Sequence, residues 1–241
     1  MIADRRILIV NADDFGQSPG VNAGVIEAHE RGIVTSASLL LRWPGAVEAA
    51  GYTRAHPSLG VGLHLDLAHW TYREGEWVSD YERVSLSDPV AIEREVRRQL
   101  DLFRDLVGRD PTHLDSHQHV HLYEPVQSVT ARLAAELGLV LRARSSTVRY
   151  CGDFYGQTGT GKPFPEGIGV ENLVELIQSL SPGPSELACH PGRGLGPDAV
   201  YGPERERELA ALCDPRAREA IERHGVVLRS FTELGPEKPF P

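Results

Sequence analysis

The chain has 241 residues and a formal net charge of −9, and its acidic balance carries no basic stripe. That excludes nucleic acid as the main partner and does not favour an anionic membrane surface. The longest apolar runs, ILIV and SLLL, are too short to cross a bilayer, no signal peptide is read, and three scattered cysteines form no disulfide framework, so a reduced, cytoplasmic setting is expected.

Short apolar runs alternate with amphipathic segments along the chain. RILIVNADD opens as a buried strand and turns polar at Asp13 and Asp14. SPGVNAGVIEAHERG reads as a helix started by Ser18 and Pro19 and stopped at Gly32. IVTSASLLL is strand-like, GAVEAAGYTRAH is a helix ending before Pro57, and LGVGLHLDL is a third strand. The polar, aromatic-containing stretch 68–87 reads as a loop. Over 88–108, Ile92, Val96, Leu100, Phe103 and Val107 recur at three- and four-residue steps, an amphipathic helix. PTHLDSH is then a short strand, EPVQSVTARLAAELG a helix and LVLRARS a strand. A Gly-rich stretch, 151–169, precedes the helix VENLVELIQSL. The strand SELACHP, the loop GRGLGPDAVYGP, two helical segments over 204–213 and 214–225, and a last strand VVLRSF follow. About seven strands alternating with helices imply one α/β domain over 1–241, with a parallel sheet that is open or closed into a barrel.

Five of these strands deliver an ionisable residue near the carboxyl end: Asp13 and Asp14, His64, His117, Arg142 and His190. Parallel βα architectures build their active sites at that rim, from the ends of several strands. The densest piece is HLDSHQHVH. As an extended segment it puts His113, Asp115, His117, His119 and His121 on one face, and as a helix it pairs His113 with His117 and His117 with His121. His117 sits at the strand end, beside Asp14 and His64 on the shared rim. Two imidazoles and one carboxylate suit zinc or another first-row divalent ion, with positions left open for water. His119 and His121 lie further out, for substrate or for contacts to the ligands, and His113, at the strand start, is read as structural.

Asp13 is either the proton acceptor beside a metal-holding Asp14 or the cap of a strand-to-loop turn. His190 is either a general acid or a buried histidine bonded to backbone, and Arg142 either pairs with Asp13 or makes a surface salt bridge. Trp70, Tyr72 and Trp77 either offer ring faces to a substrate or pack their loop against the sheet. Other motifs fail. GQTGTGK has Pro163 where a phosphate loop needs Ser or Thr, no GxGxxG follows the first strand, and no GxSxG elbow is present. Cys189 reads as a buried strand residue.

NADDFGQSPGVNAGVIEAHERGIVTSASLL strongly resembles the opening of YdjC-like carbohydrate deacetylases, the group that includes chitooligosaccharide deacetylases. GLHLDL, PTHLDSHQHVH, LRA and CHPG follow in the family's order, so the likeness spans most of the chain. The resemblance implies an irregular (β/α) barrel related to polysaccharide deacetylases. It implies one divalent ion held by Asp14, His64 and His117, with Asp13 as base, His190 as general acid and Arg142 orienting the base. Magnesium and zinc are the first expectations for that ion, and manganese, cobalt or iron also suit the donors. The reaction then expected is hydrolysis of an N-acetyl group on an amino sugar or short oligosaccharide, with a homodimer as the assembly. A metal-dependent esterase or phosphodiesterase using the same residues is the main rival. A glycoside hydrolase fits less well, since adjacent Asp13 and Asp14 on one strand would point apart. A non-catalytic sugar-binding module is the remaining alternative.

Overall fold

The computed structural model describes residues 5–196 and 201–234; residues 197–200 of the expected loop GRGLGPDAVYGP lie outside it. Strand β1 (Arg6–Phe15) lies inside a parallel sheet with β2 (Ser36–Leu39), β3 (Gly60–Leu65), β6 (His113–Ser116), β7 (Val140–Leu141), β8 (Arg149–Cys151) and β9 (Gly183–Cys189), in the order β7-β6-β3-β2-β1-β9-β8. Strand β10 (Val227–Leu228) pairs with the start of β1, below the point where β2 joins it. Every pairing in this sheet is parallel. The α-helices among the described residues are α1 (Pro19–Glu30), α2 (Ala46–Ala55), α3 (Pro89–Val107), α4 (Val126–Leu137), α5 (Val170–Ser179), α6 (Gly202–Leu212) and α7 (Pro215–Arg223). Together they form an irregular (β/α) half-barrel, a curled sheet ending at β7 and β8, in keeping with the barrel that the family resemblance implies.

Alternation along the strands sorts the side chains onto two faces. Leu8, Val10, Ala12, Ala37, Leu39, Val61, Leu63, Leu65, Leu114, Leu141 and Leu187 join the main core, where they meet helix residues such as Val25, Val96, Phe103, Leu133 and Ile177. Ile9 and Val140, of the other parity, meet Val148 and Phe231 in a small apolar floor, and above it lies a buried polar layer: Asn11, Asp13, Ser38, His64, Asp115, Arg142 and Glu186. Gly62 belongs to this face, and an added Cβ would lie 2.5 Å from the His113 ring.

The helix ends follow the local chemistry. Ser18 accepts from the Val21 N–H ahead of Pro19, and Asp88 accepts from Val90 and Ala91 to start α3, which Gly108 stops in a left-handed conformation. Two expectations are corrected. The stretch 68–87 is largely an antiparallel hairpin, β4 (Ala68–Arg73) with β5 (Glu76–Glu82), turned at Glu74 and Gly75, whose φ values of 51° and 93° mark a primed turn. Both faces of β5 are exposed or nearly so, leaving no apolar alternation to betray it. The strand expected from LVLRARS ends after Leu141, because Ala143 takes φ 56° and Arg144 N–H turns back to Leu141.

Candidate active site

The parallel sheet brings the five strand ends to one rim. β1 delivers two carboxylates there because it does not stay regular. Its register with β2 shifts between Ala12 and Phe15, and Asp14 takes a left-handed φ of 62°. A bulge of this kind re-aims side chains at a sheet edge. Asp13 and Asp14, which would diverge on a regular strand, are both buried in the same site.

Arg142 organises one side. It is 1% exposed and forks onto Asp13 with Nη1 2.6 Å from Oδ2 and Nη2 2.7 Å from Oδ1. The same guanidinium reaches Asp115 Oδ2 at 2.8 Å and Glu186 Oε1 at 2.8 Å through Nε. Burial pushes the Asp13 carboxyl up, but the charge and hydrogen bonds of Arg142 outweigh it and hold Asp13 below the usual aspartate range. Glu186, with less of that compensation, is pushed up by burial to about 7. Asp115 also accepts from Ser38 Oγ at 2.6 Å and from His64 Nδ1 at 2.8 Å.

The second group is Asp14, His64 and His117, whose donor atoms lie within 4.8 Å of one another. His117 Nδ1 is 3.1 Å, and His64 Nε2 3.5 Å, from the same Asp14 oxygen. Because Asp115 takes the His64 Nδ1 proton, Nε2 is the nitrogen left with a lone pair, as in the carboxylate–histidine pairs that orient metal ligands. Burial lowers the His64 pKa, but Asp115, Asp14 and Asp13 overcome it and raise it to about 10, which shows how strongly these carboxylates favour positive charge at this point. Three donors converging on one point, one with its tautomer already set, fit a divalent ion. Asp14 is kept ionised against burial by Arg205, whose Nη2 lies 2.5 Å from Oδ2, and by the two imidazoles.

His190, just past β9, places Nε2 3.7 Å from Asp13 Oδ2. Its backbone N–H donates to Glu208, which also accepts from Tyr201 Oη at 2.6 Å. Its surroundings push its pKa down to about 4, burial being the main cause. Tyr155, 40% exposed, stands edge-on to the His190 ring and stacks on Tyr201.

The structure thus brings Asp13, Asp14, His64, His117, Arg142 and His190 together. His121 is corrected: it is fully buried, with Nδ1 2.6 Å from Ser116 Oγ and Nε2 3.1 Å from the Arg142 carbonyl, so neither ring nitrogen is left for a substrate. His119 is half-buried and bonds Tyr150 Oη through Nε2. Trp70 packs partly buried against the core, the alternative to sugar stacking, while Tyr72 meets the exposed Trp77 edge-on in the hairpin. Sequence reasoning missed Asp115 as a partner, and Ser38, Glu186, Arg205 and Glu208. Asp115 had a signal, since it shares the parity of His113 and His117. So did Arg205 and Glu208, which share a helical face with the buried Leu209 and Leu212.

The YdjC-like protein family model matches residues 7–223. The chain belongs to this family. A carbohydrate deacetylase of Geobacillus stearothermophilus is 35% identical over 250 residues, covering 95% of this chain and 98% of the relative. A chitooligosaccharide deacetylase of Salmonella paratyphi B is 32% identical, covering 95% and 99%. Among solved structures, a protein of Enterococcus faecalis V583 named for cellobiose-phosphate cleavage superimposes with a TM-score of 0.76 at 27% identity, over 96% of this chain and 99% of that one. The catalytic domain of a peptidoglycan N-acetylglucosamine deacetylase from Eubacterium rectale shares the fold, with a TM-score of 0.61 at 13% identity over 98% and 93%.

Proposed function

We propose that this YdjC-like protein is a metal-dependent N-deacetylase of an amino sugar or a short, chitooligosaccharide-like chain. The observation that carries the reading is a buried Asp13, forked by Arg142, on one rim with the Asp14–His64–His117 donors and His190. The names of the relatives from Geobacillus and Salmonella support the substrate class.

Asp14, His64 and His117 would hold a divalent ion, which would supply Lewis-acid polarisation of the acyl oxygen and acidify water. Two imidazoles against one carboxylate suit zinc or another first-row ion better than magnesium. Arg142 occupies one lone pair on each Asp13 oxygen, and Oδ2 keeps the other, on the side of His190. Asp13 accepts the proton of the attacking water as oxygen bonds to the acetyl carbon. His190, neutral at pH 7, becomes an acid only after receiving that proton across the 3.7 Å gap, and then passes it to the amine as the C–N bond breaks. Acetate and the free amino sugar leave with atoms balanced. Tyr155 offers an exposed ring face beside His190 for a sugar to stack on. The reading includes a homodimer and a reduced, cytoplasmic setting, and the three free cysteines are consistent with the setting.

Acetate release from diacetylchitobiose, with and without chelator and in Asp13→Asn, tests the reading. Chelator-sensitive release that Asp13→Asn abolishes is expected. Release surviving both treatments refutes it, and turnover of acetyl esters alone shifts the reading to an esterase.

A further inference from the structure

His117 has a neighbour that no motif announced. The hairpin strand β4 lays His69 beside it, with His69 Nδ1 2.8 Å from His117 Nε2. The rings are within 12° of parallel with centroids 5.0 Å apart, so each nitrogen lies close to the plane of the other ring, as a hydrogen bond requires. The next residue ties the same two segments: Gln118 accepts from Trp70 N–H and donates to the Trp70 carbonyl, both at 2.8 Å. Gln118 and His119 have φ values of 51° and 55°, so the turn that presents His117 is strained and this clamp restrains it. On its far side His69 Nε2 lies 3.6 Å from Asp80 Oδ2, and Thr71 and Arg73 of the facing strand hold Asp80 at 2.5 and 2.8 Å.

Proton placement along this chain has one consistent solution. If His117 Nδ1 is to offer a lone pair beside Asp14, its proton is on Nε2. His69 Nδ1 then accepts, which places the His69 proton on Nε2, facing the Asp80 carboxylate. We propose that His69, itself oriented by Asp80, is a positioning residue that sets the ring and tautomer of His117, so that the β4–β5 hairpin governs metal affinity. The proposal rests on the metal reading above. It deepens that reading, because partners of this kind raise ligand basicity and their loss weakens metal binding tenfold to a hundredfold in order of magnitude.

The test titrates chelator-stripped protein with Co²⁺ and reads visible absorption, which reports affinity and ligand set without turnover. His69→Phe, which keeps a ring but no acceptor, is expected to bind about 10–100-fold more weakly with the wild-type band shape. His69→Gln restores an acceptor and is expected to recover all but about threefold of the affinity. Asp80→Asn is expected to weaken binding in wild type and to add nothing on top of His69→Phe. Wild-type affinity in His69→Phe, or a His69→Gln as weak as His69→Phe, overturns the proposal. A changed band shape in His69→Phe would make His69 a ligand and also overturn it. Wild-type protein that takes up no cobalt refutes the metal reading itself, and this inference with it.

Discussion

Arg142→Met puts the organisation of the site to the test. The native guanidinium is 1% exposed and faces Asp13, Asp115 and Glu186, all buried, with N–O distances between 2.6 and 2.8 Å. Methionine keeps most of the apolar stem but leaves those carboxylates without their cation. Removing one member of a buried ion pair costs about 3–5 kcal/mol, because the remaining charge stays desolvated. Asp115 keeps Ser38 and His64, and Glu186, at about 7, is already half-neutral near pH 7. The cost therefore falls on Asp13, which keeps only the Asn11 Nδ2 donor at 3.1 Å, and about 3–5 kcal/mol remains the expectation for a single carboxylate stripped of its cation. In a chain of this size that corresponds to a fall in Tm of roughly 6–20 °C. Urea unfolding at pH 7 measures it directly. The loss should shrink at pH 5, where an Asp13 without its cation can take a proton, and Arg142→Lys should fall between wild type and Met because an ammonium cannot fork. A Met variant within about 1 kcal/mol of wild type, with no pH dependence, refutes the view that Arg142 holds Asp13 ionised.

His113 sets a pH-dependent cost of folding. Burial pushes its pKa from 6.5 to about 4, so the unfolded chain binds a proton there that the folded chain does not. His113 thus contributes its full share of stability above pH 6.5 and loses it as pH falls towards 4. Relative to wild type, His113→Phe should gain about 1.4 kcal/mol per pH unit over that window, and a difference that is flat with pH in urea titrations refutes the linkage. Gly24→Ala tests the packing of α1 against the loop that follows His190. An added Cβ would lie 2.4 Å from Gly192 Cα. Alanine favours a helix by about 1 kcal/mol, but backbone cannot yield as a side chain does, so a net loss of about 1–3 kcal/mol in thermal unfolding is expected and a gain would refute the close approach.

The residues of the site were legible in order along the chain, and the reason is geometric. A parallel sheet puts every strand's carboxyl end on one side, so a polar residue closing each apolar run is a statement about one place in space. That logic reached Asp14, His64, His117, Arg142 and His190 without a structure. It could not orient Asp13 beside Asp14, because alternation assigns neighbours to opposite faces and only the bulge at Ala12–Phe15 reverses this. Nor could it reach Arg205 or His69. Arg205 comes from a helix 191 residues beyond Asp14, where helical periodicity marks an inward face but not the partner it meets. His69 sits in a hairpin with no apolar alternation, and its pairing with His117 spans 48 residues. Local pattern determined most strands of the parallel sheet and which of their ends are polar, though not the hairpin or β8. The tertiary structure decided which nitrogen of each histidine is free and which cation balances each buried carboxylate, because those depend on contacts between segments that the chain keeps far apart.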